Sequence, residues 1–389
     1  TAGNVDMQIF GSMALQPKYV DNANFNDDND VGDFLFYTNG MYADHVVRQQ
    51  TRLGVKGGTD NFSFKMIMES EFNFDADNAD RETPGNAGSG EFAGALGSTG
   101  SQFGIERLHF EYDMSDHGMP ASLFTGWDFY PLDVRGGGSL LLGDDYPYIG
   151  LKGSLAEGVT WDVRYFIRDD NIAGSSLVNP AQEVDGNDGD WRFVTANMIF
   201  PAGPMGFQPT YVYSRINHSG SKQTSSVNYL GLSAWGNFEM GDMGTFNPKG
   251  EFFYVTGTQE NYAMTPTNED ADIRSIAAFL GAEMQMTPAV TPYLGGYYLQ
   301  GDDDANDDEI NAYNSLSNSA AISGMFGMPN GLLNQGWSML GSGPFSNQPA
   351  ILGGALDAFG PANAATPYGT NGLTGSSTNP GLMTLGLGL

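Results

Sequence analysis

The stretch Phe62-Ser63-Phe64-Lys65-Met66-Ile67-Met68-Glu69-Ser70-Glu71-Phe72-Asn73-Phe74 decides the fold. Phe62, Phe64, Met66, Met68, Phe72 and Phe74 take alternate positions, and Lys65, Glu69, Glu71 and Asn73 fall between them. Side chains alternate across a strand, so a segment of this kind has one apolar side and one charged side. The segment from Val159 to Arg168 repeats it: Val159, Trp161, Val163, Tyr165 and Ile167 are set against Asp162, Arg164 and Arg168.

Working outward, about fourteen such segments follow one another. They begin near Val5, Asp44, Asn61, Gln102, Ala121, Tyr146, Val159, Trp191, Gly206, Val227, Gly244, Ile273, Thr291 and Gly381. Most run for roughly 10 to 16 residues, well beyond an ordinary globular strand. A tilted strand needs about 9 to 11 residues to cross the hydrocarbon of a bilayer. The connections alternate in length. Those at 57–60, 115–120, 156–158, 201–205, 241–244 and 287–289 are short; those at 22–43, 76–101, 135–145, 170–190, 217–225, 260–272 and 303–380 are long. This parity predicts an all-β fold: a transmembrane, antiparallel, up-and-down β-barrel with tight periplasmic turns and long external loops. The whole of 1–389 reads as one barrel domain, with 303–380 as a long extracellular or infolded loop.

Composition agrees. The chain of 389 residues is only 40% hydrophobic and 16% charged, with 54 Gly and 12% aromatics. A polar lumen, a thin apolar girdle and polar loops give such a balance. No apolar run is long enough for a membrane-crossing helix. There are 46 acids against 16 bases, a net charge of −30, which argues against nucleic acid as a partner. The absence of Cys excludes disulfides, thiolate metal sites and c-type haem attachment. Thr1-Ala2-Gly3 reads as a mature terminus left by cleavage of a signal peptide, with both termini periplasmic. The ending Leu385-Gly386-Leu387-Gly388-Leu389 lacks the terminal aromatic usual in such barrels. The expectation is that the natural chain continues, with one further hairpin making sixteen strands.

Cost assigns the faces. Lys or Arg at the bilayer midplane of a barrel costs about 2–4 kcal/mol, so the charged face is expected to line the lumen. The expected lumenal bases are Arg48, Arg52, Lys56, Lys65, Arg107, Lys152, Arg164 and Arg168. The expected lumenal acids are Glu69, Glu71, Glu111, Asp128, Asp162, Glu239, Glu251 and Glu283. Ten of the 16 bases lie between positions 45 and 170. Two arrangements follow from this crowding. Either a basic wall faces acids across a constriction, or each base is met by a carboxylate on the next strand. Tyr112, Trp127, Phe129, Tyr130, Trp161, Tyr165, Trp191, Tyr211, Tyr213 and Trp235 are expected in the aromatic belts at the membrane surfaces, although the phase of Trp235 is ambiguous.

Strands 47–56, 61–75 and 159–168, the loop parity and the basic wall resemble the general-porin type of outer-membrane protein. The resemblance is architectural, spans about 1–304 and rests on no short motif. It implies a bacterial outer-membrane location, a homotrimer, and a loop folded into the pore.

The long loops carry acidic clusters. Asp185, Asn187, Asp188 and Asp190 form one, and Asp302, Asp304, Asn306 and Asp308 form another; 27–30 and 75–80 are similar. Alternating carboxylates and amides supply hard oxygen ligands suited to Ca²⁺, but neither cluster completes an EF-hand. The alternative is a solvated acidic rim, and in both cases the mouth is negative. No cofactor is required. The histidines His45, His109, His117 and His218 have no metal-ligand spacing, and no phosphate loop, GxSxG or HExxH is present. An enzyme is therefore not expected. His109 and Glu111 read as a lumen-lining pair.

The expected function is a water-filled porin for passive diffusion of small hydrophilic solutes or ions, with cation preference. Its partners would be outer-membrane lipid, lipopolysaccharide and further copies of itself. Two other readings stay open: a substrate-specific uptake channel for apolar or aromatic compounds gated by 303–380, and a structural sheath around a partner protein.

Overall fold

The structure, a computed structural model, describes residues 6–19, 45–73, 102–132, 139–170, 190–217, 224–260, 270–302, 307–313, 316 and 382–388. They group into two compact units, Thr1–Phe129 and Tyr130–Leu389.

The first unit is a meander. Its strands are β1 (Asp6–Tyr19), β2 (His45–Gly58), β3 (Phe62–Asn73) and β4 (Gln102–Asp113), followed by β5 (Ala121–Pro131), which runs over the boundary. Each pairs antiparallel with the next. The second unit continues with β6 (Gly143–Ala156), β7 (Val159–Asp170), β8 (Asp190–Ala202), β9 (Met205–Asn217) and β10 (Thr224–Gly236). After the two-residue β11 (Phe238–Glu239) come β12 (Thr245–Gln259), β13 (Ala271–Gln285) and β14 (Tyr293–Leu299). A short β15 (Glu309–Ile310) and β16 (Leu382–Gly388) complete the order. Long strands again pair antiparallel in sequence, with β10 against β12 and β14 against β16.

Apart from β11 and β15, the described residues hold fourteen strands, as the alternation predicts, and each starts within three residues of its expected position. They contain no α-helix, and no helix long and apolar enough to cross a membrane. Tight turns explain the short connections. Gly158 (φ 74°) and Gly203 (φ 64°) supply the left-handed backbone that closes the β6–β7 and β8–β9 hairpins, a conformation costly for any residue with a Cβ.

Two unlike faces result. Along β12, Glu251, Phe253, Val255 and Gln259 are buried, whereas Phe252 and Tyr254 between them are exposed. The exposed face is apolar from strand to strand: Met7, Ile9, Leu53, Phe62, Leu123 and Trp127 in the first unit, and Ile149, Leu151, Val163, Leu230, Leu232, Leu280, Leu294 and Leu385 in the second. Leu280 and Leu385 are 73% and 78% exposed. A soluble protein rarely shows so broad an apolar surface, because each Å² left in water forfeits about 25 cal/mol. A bilayer removes that cost.

The buried face of the second unit departs from the expected polar wall. It carries Tyr130, Tyr146, Tyr148, Phe166, Trp191, Phe193, Tyr229, Phe253 and Phe279 among its polar groups. Tyr130 and Trp191 are therefore not belt residues: they share the phase of buried Asp128 and Phe193 respectively. Trp127, Tyr165 and Tyr211 do stand on the exposed face. Several of these rings pack on one another, Tyr130, Tyr148 and Phe193 around Phe166, and two chain segments described below bond to the same wall at Glu251 and Tyr146.

Candidate functional site

In the first unit, the inner face holds a charge network built across β2 to β5. Arg52 on β2 bonds through Nε to Glu69 directly opposite on β3, and its Nη2 lies 2.6 Å from Glu106 Oε1 on β4. Arg107 Nη2 is 3.0 Å from the same Glu106 oxygen, and its Nε is 3.9 Å from Asp128 on β5. Lys65 pairs with Asp128. Three bases thus meet three acids of the same wall: Arg52 and Glu69 on adjacent strands, Lys65 and Asp128 two strands apart, and Arg107 and Glu106 neighbours on β4.

Glu106 did not appear among the expected inward residues. Strict alternation puts it in phase with Leu108 and Phe110, facing lipid. A β-bulge intervenes: Ile67 pairs with Arg107 but Met68 pairs with Ile105, leaving Glu106 as the inserted residue. The bulge turns Glu106 inward, 7% exposed, and Ile105 outward, 55% exposed. A carboxylate that would have met hydrocarbon instead closes the arginine pair.

Lys56 sits on this same face, opposite Lys65 on β3, with its ammonium 5.9 Å from the Phe10 ring centre. His109 Nε2 lies 3.6 Å from Glu111 Oε2. The side chains of Arg48 and Glu71 lie outside the described residues.

In the second unit, Arg164 forks onto Asp162, with Nε–Oδ1 and Nη2–Oδ2 both 2.8 Å. The guanidinium lies 3.9 Å from the Tyr130 ring centre and 5.1 Å from that of Tyr148, a geometry of cation–π contact. Asn197 Nδ2 donates to the Tyr130 hydroxyl at 2.6 Å. Phe166 stacks on Phe193 at 4.6 Å and meets Tyr130 at 5.3 Å. Lys152 stands in register with Asp162. Lys249, a further inward base in phase with Glu251, bonds Glu283 at 2.7 Å. Glu239 is set apart, exposed on β11 beside the Gly241–Met243 turn, where Thr245 Oγ1 lies 3.5 Å away. The Arg168 side chain lies outside the described residues.

Glu251 was expected as a lumenal acid, but its partners were not. It is 3% exposed and near the middle of β12. It accepts from Ser139 Oγ (2.8 Å), from the Leu140 backbone N–H (2.6 Å) and from Ser233 Oγ on neighbouring β10 (3.0 Å). Leu140, Leu141 and Leu142 are fully buried. Part of the connection between β5 and β6, read as an external loop, thus folds onto the inner face. The apolar triplet was its signal, since three exposed leucines in a row are unfavourable in a loop.

The beginning of 303–380 behaves likewise. β15 pairs parallel with the start of β13, and Ala312, Tyr313 and Leu316 are buried. Residues 317–381 lie outside the described residues, as do Asp185, Asn187, Asp188, Asp304, Asn306 and the side chain of Asp190. Of the acidic clusters, Asp302 is buried and accepts from the Asn311 backbone N–H at 3.0 Å, while Asp308 is exposed. Among the described residues, no three acidic or histidine side chains group so as to hold a metal ion.

These observations define the class: an all-β, antiparallel, up-and-down sheet with one exposed apolar face and an opposite face that carries the ion pairs. No family model matches the chain. No curated protein matches it either. Among solved structures, it is similar to OmpT, an outer membrane protein of Vibrio cholerae, in a trimer form, at 12% identity. That match covers 80% of this chain and 95% of the other, with a TM-score of 0.35. It is also similar to the outer membrane channel DcaP of Acinetobacter baumannii, at 13% identity over 77% of this chain and 91% of that one, TM-score 0.32. A mutant of the Rh. blastica porin matches at 11% identity, covering 76% and 94%, with a TM-score of 0.28.

Proposed function

We propose that the chain forms a channel through the bacterial outer membrane, admitting small hydrophilic solutes and preferring cations, and that it has no enzymatic role. The observation that carries this reading is the pairing of unlike faces: exposed apolar residues on one side of the sheet, and on the other the ion pairs of β2 to β5 and the mixed polar and aromatic wall of the second unit. A wall of that kind separates lipid from water. Cation preference follows from the charge balance. Arg52, Lys65 and Arg107 of the first unit's inner face are matched by Glu69, Glu106 and Asp128, and the net charge of −30 sets the potential at the mouth. Assembly as a homotrimer, surrounded by lipid and lipopolysaccharide, belongs to the same reading.

Purified full-length chain inserted in a planar bilayer under a KCl gradient provides the test. The expected result is stepwise conductance with a reversal potential displaced toward the K⁺ equilibrium value, weakening as salt screens the mouth. A displacement toward the Cl⁻ value would remove the cation preference, and an absence of conductance would remove the channel.

A further inference from the structure

The turn between β11 and β12 and the turn after β13 lie side by side at the short-turn end of the second unit. Glu239 pairs with Thr245, and Thr245 with Gln285, so the next residues toward the turns, Met240, Gly244 and Met286, fall in one row. The Met240 N–H donates to the Gly244 carbonyl at 2.8 Å. A Cβ on Gly244 would stand 2.9 Å from Met286 Cα and 2.0 Å from the Gln285 carbonyl oxygen. Gly244, at φ 96°, therefore leaves a side-chain gap between two methionines. Met243 sits in the turn itself and donates its N–H to the Met240 carbonyl at 3.4 Å. Met240, Met243 and Met286 are 42%, 57% and 52% exposed. The other exposed methionine among the described residues of this unit, Met383, stands apart on β16.

We propose that Met240, Met243 and Met286 form a binding site for a soft monovalent cation of the Cu(I) class. A thioether carries neither charge nor proton and is a poor partner for water, but it is a soft ligand that selects Cu(I) over harder cations. Met240 and Met286 are two strand positions apart, about 10 Å between their Cα atoms. Two unbranched side chains span that distance through one ion above Gly244, and Met243 reaches it from the turn. The frame is fixed on both sides: the Met286 N–H donates to the Val290 carbonyl (3.1 Å), as the Gly244 N–H does to that of Gly241 (3.1 Å). One step further into the sheet, Phe238 and Phe246 lie 6.5 Å apart, and Met284 stands opposite Phe246, giving the row an apolar floor. Asp242, exposed between Met240 and Met243, adds negative charge that favours a cation. An apolar anchor in lipid would be served equally well by leucine, which supplies the control. The site does not depend on the channel reading.

Titration of the full chain in detergent micelles with Cu(I), under anaerobic reducing conditions and against a chromophoric Cu(I) chelator, tests this. The expected result is one ion per chain with sulfur neighbours in X-ray absorption. Its affinity should be unchanged between about pH 5 and 8, since thioether ligands release no proton on binding. Each of Met240→Leu, Met243→Leu and Met286→Leu is expected to weaken binding by roughly tenfold or more, and the three together to abolish it. Leucine keeps the volume and apolar character of methionine, so the fold and its membrane insertion are retained. Met383→Leu removes a methionine that is 80% exposed and should leave the affinity as it is. Zn(II) and Ca²⁺, which prefer harder ligands, should not compete. Absence of Cu(I) binding, equal affinity in the wild type and the triple variant, or nitrogen and oxygen neighbours in place of sulfur would each overturn the site and leave these methionines as an apolar patch alone.

Discussion

Arg52→Ala is expected to destabilise the chain by about 3–5 kcal/mol, the range for removing one partner of a buried ion pair. Arg52 serves two carboxylates at once, Glu69 and Glu106, whose side chains are 6% and 7% exposed. Glu106 Oε2 already lacks a hydrogen-bond partner, so little is in reserve when the arginine goes. The loss arises because two buried carboxylates each lose a charged partner, Glu106 keeping Arg107 at 3.0 Å. Arg52→Lys keeps the charge but not the fork, and should recover only part of the stability. Replacing the trio together, Arg52→Met with Glu69→Leu and Glu106→Leu, should cost less than Arg52→Ala, because only Arg107 then loses a partner and it keeps Asp128 at 3.9 Å. Urea unfolding of the vesicle-inserted protein measures all three. A small effect of Arg52→Ala, equal to that of the triple replacement, would mean that water reaches these carboxylates freely.

Leu230→Arg is expected to cost about 2–4 kcal/mol, the penalty for a cation at the bilayer midplane of a barrel. Leu230 is the central residue of β10, 49% exposed, and pairs with Tyr211 on one side and Tyr254 on the other, both on the same exposed face. Leu155→Arg serves as its comparison. Leu155 is 69% exposed but sits at the end of β6, next to the short β6–β7 turn, where the same substitution should cost only about 0–1 kcal/mol. The contrast depends on depth, which only a membrane supplies. On a water-facing sheet both changes would fall within about ±0.5 kcal/mol, the usual range for surface substitutions. Equilibrium unfolding from lipid vesicles, run on the two variants side by side, reads the difference.

Much of this architecture is legible in the sequence, and the reason is local. A period of two over a dozen residues tolerates no other structure, so β3 and β7 announce both their existence and their faces. Turn glycines such as Gly158 and Gly203 mark the hairpins for the same reason. The site was only half legible. Arg52, Lys65, Arg107 and Asp128 follow from phase alone, but their mutual pairing depends on register. Glu106 escaped because one inserted residue reverses the phase of everything before it, and a bulge leaves no signature in the strand that carries it. Segment 139–142 escaped because its anchor, Glu251, is remote in the chain. Its leucine triplet was nonetheless an anomaly for an external loop. Lys249 and Glu283 illustrate the intermediate case: both lie in phase on adjacent strands, but only the β12–β13 register brings them to 2.7 Å.

The separation of lipid from water by the two faces of each strand is the claim on which the rest depends. Single cysteines answer it directly, since the chain supplies none of its own. Leu53 and Lys56 lie on opposite faces of β2, and both are exposed. In proteoliposomes, Lys56→Cys should react with a charged, membrane-impermeant thiol reagent and Leu53→Cys only with a lipid-soluble one. Equal reaction of both cysteines with the charged reagent, or the reverse order, would contradict it.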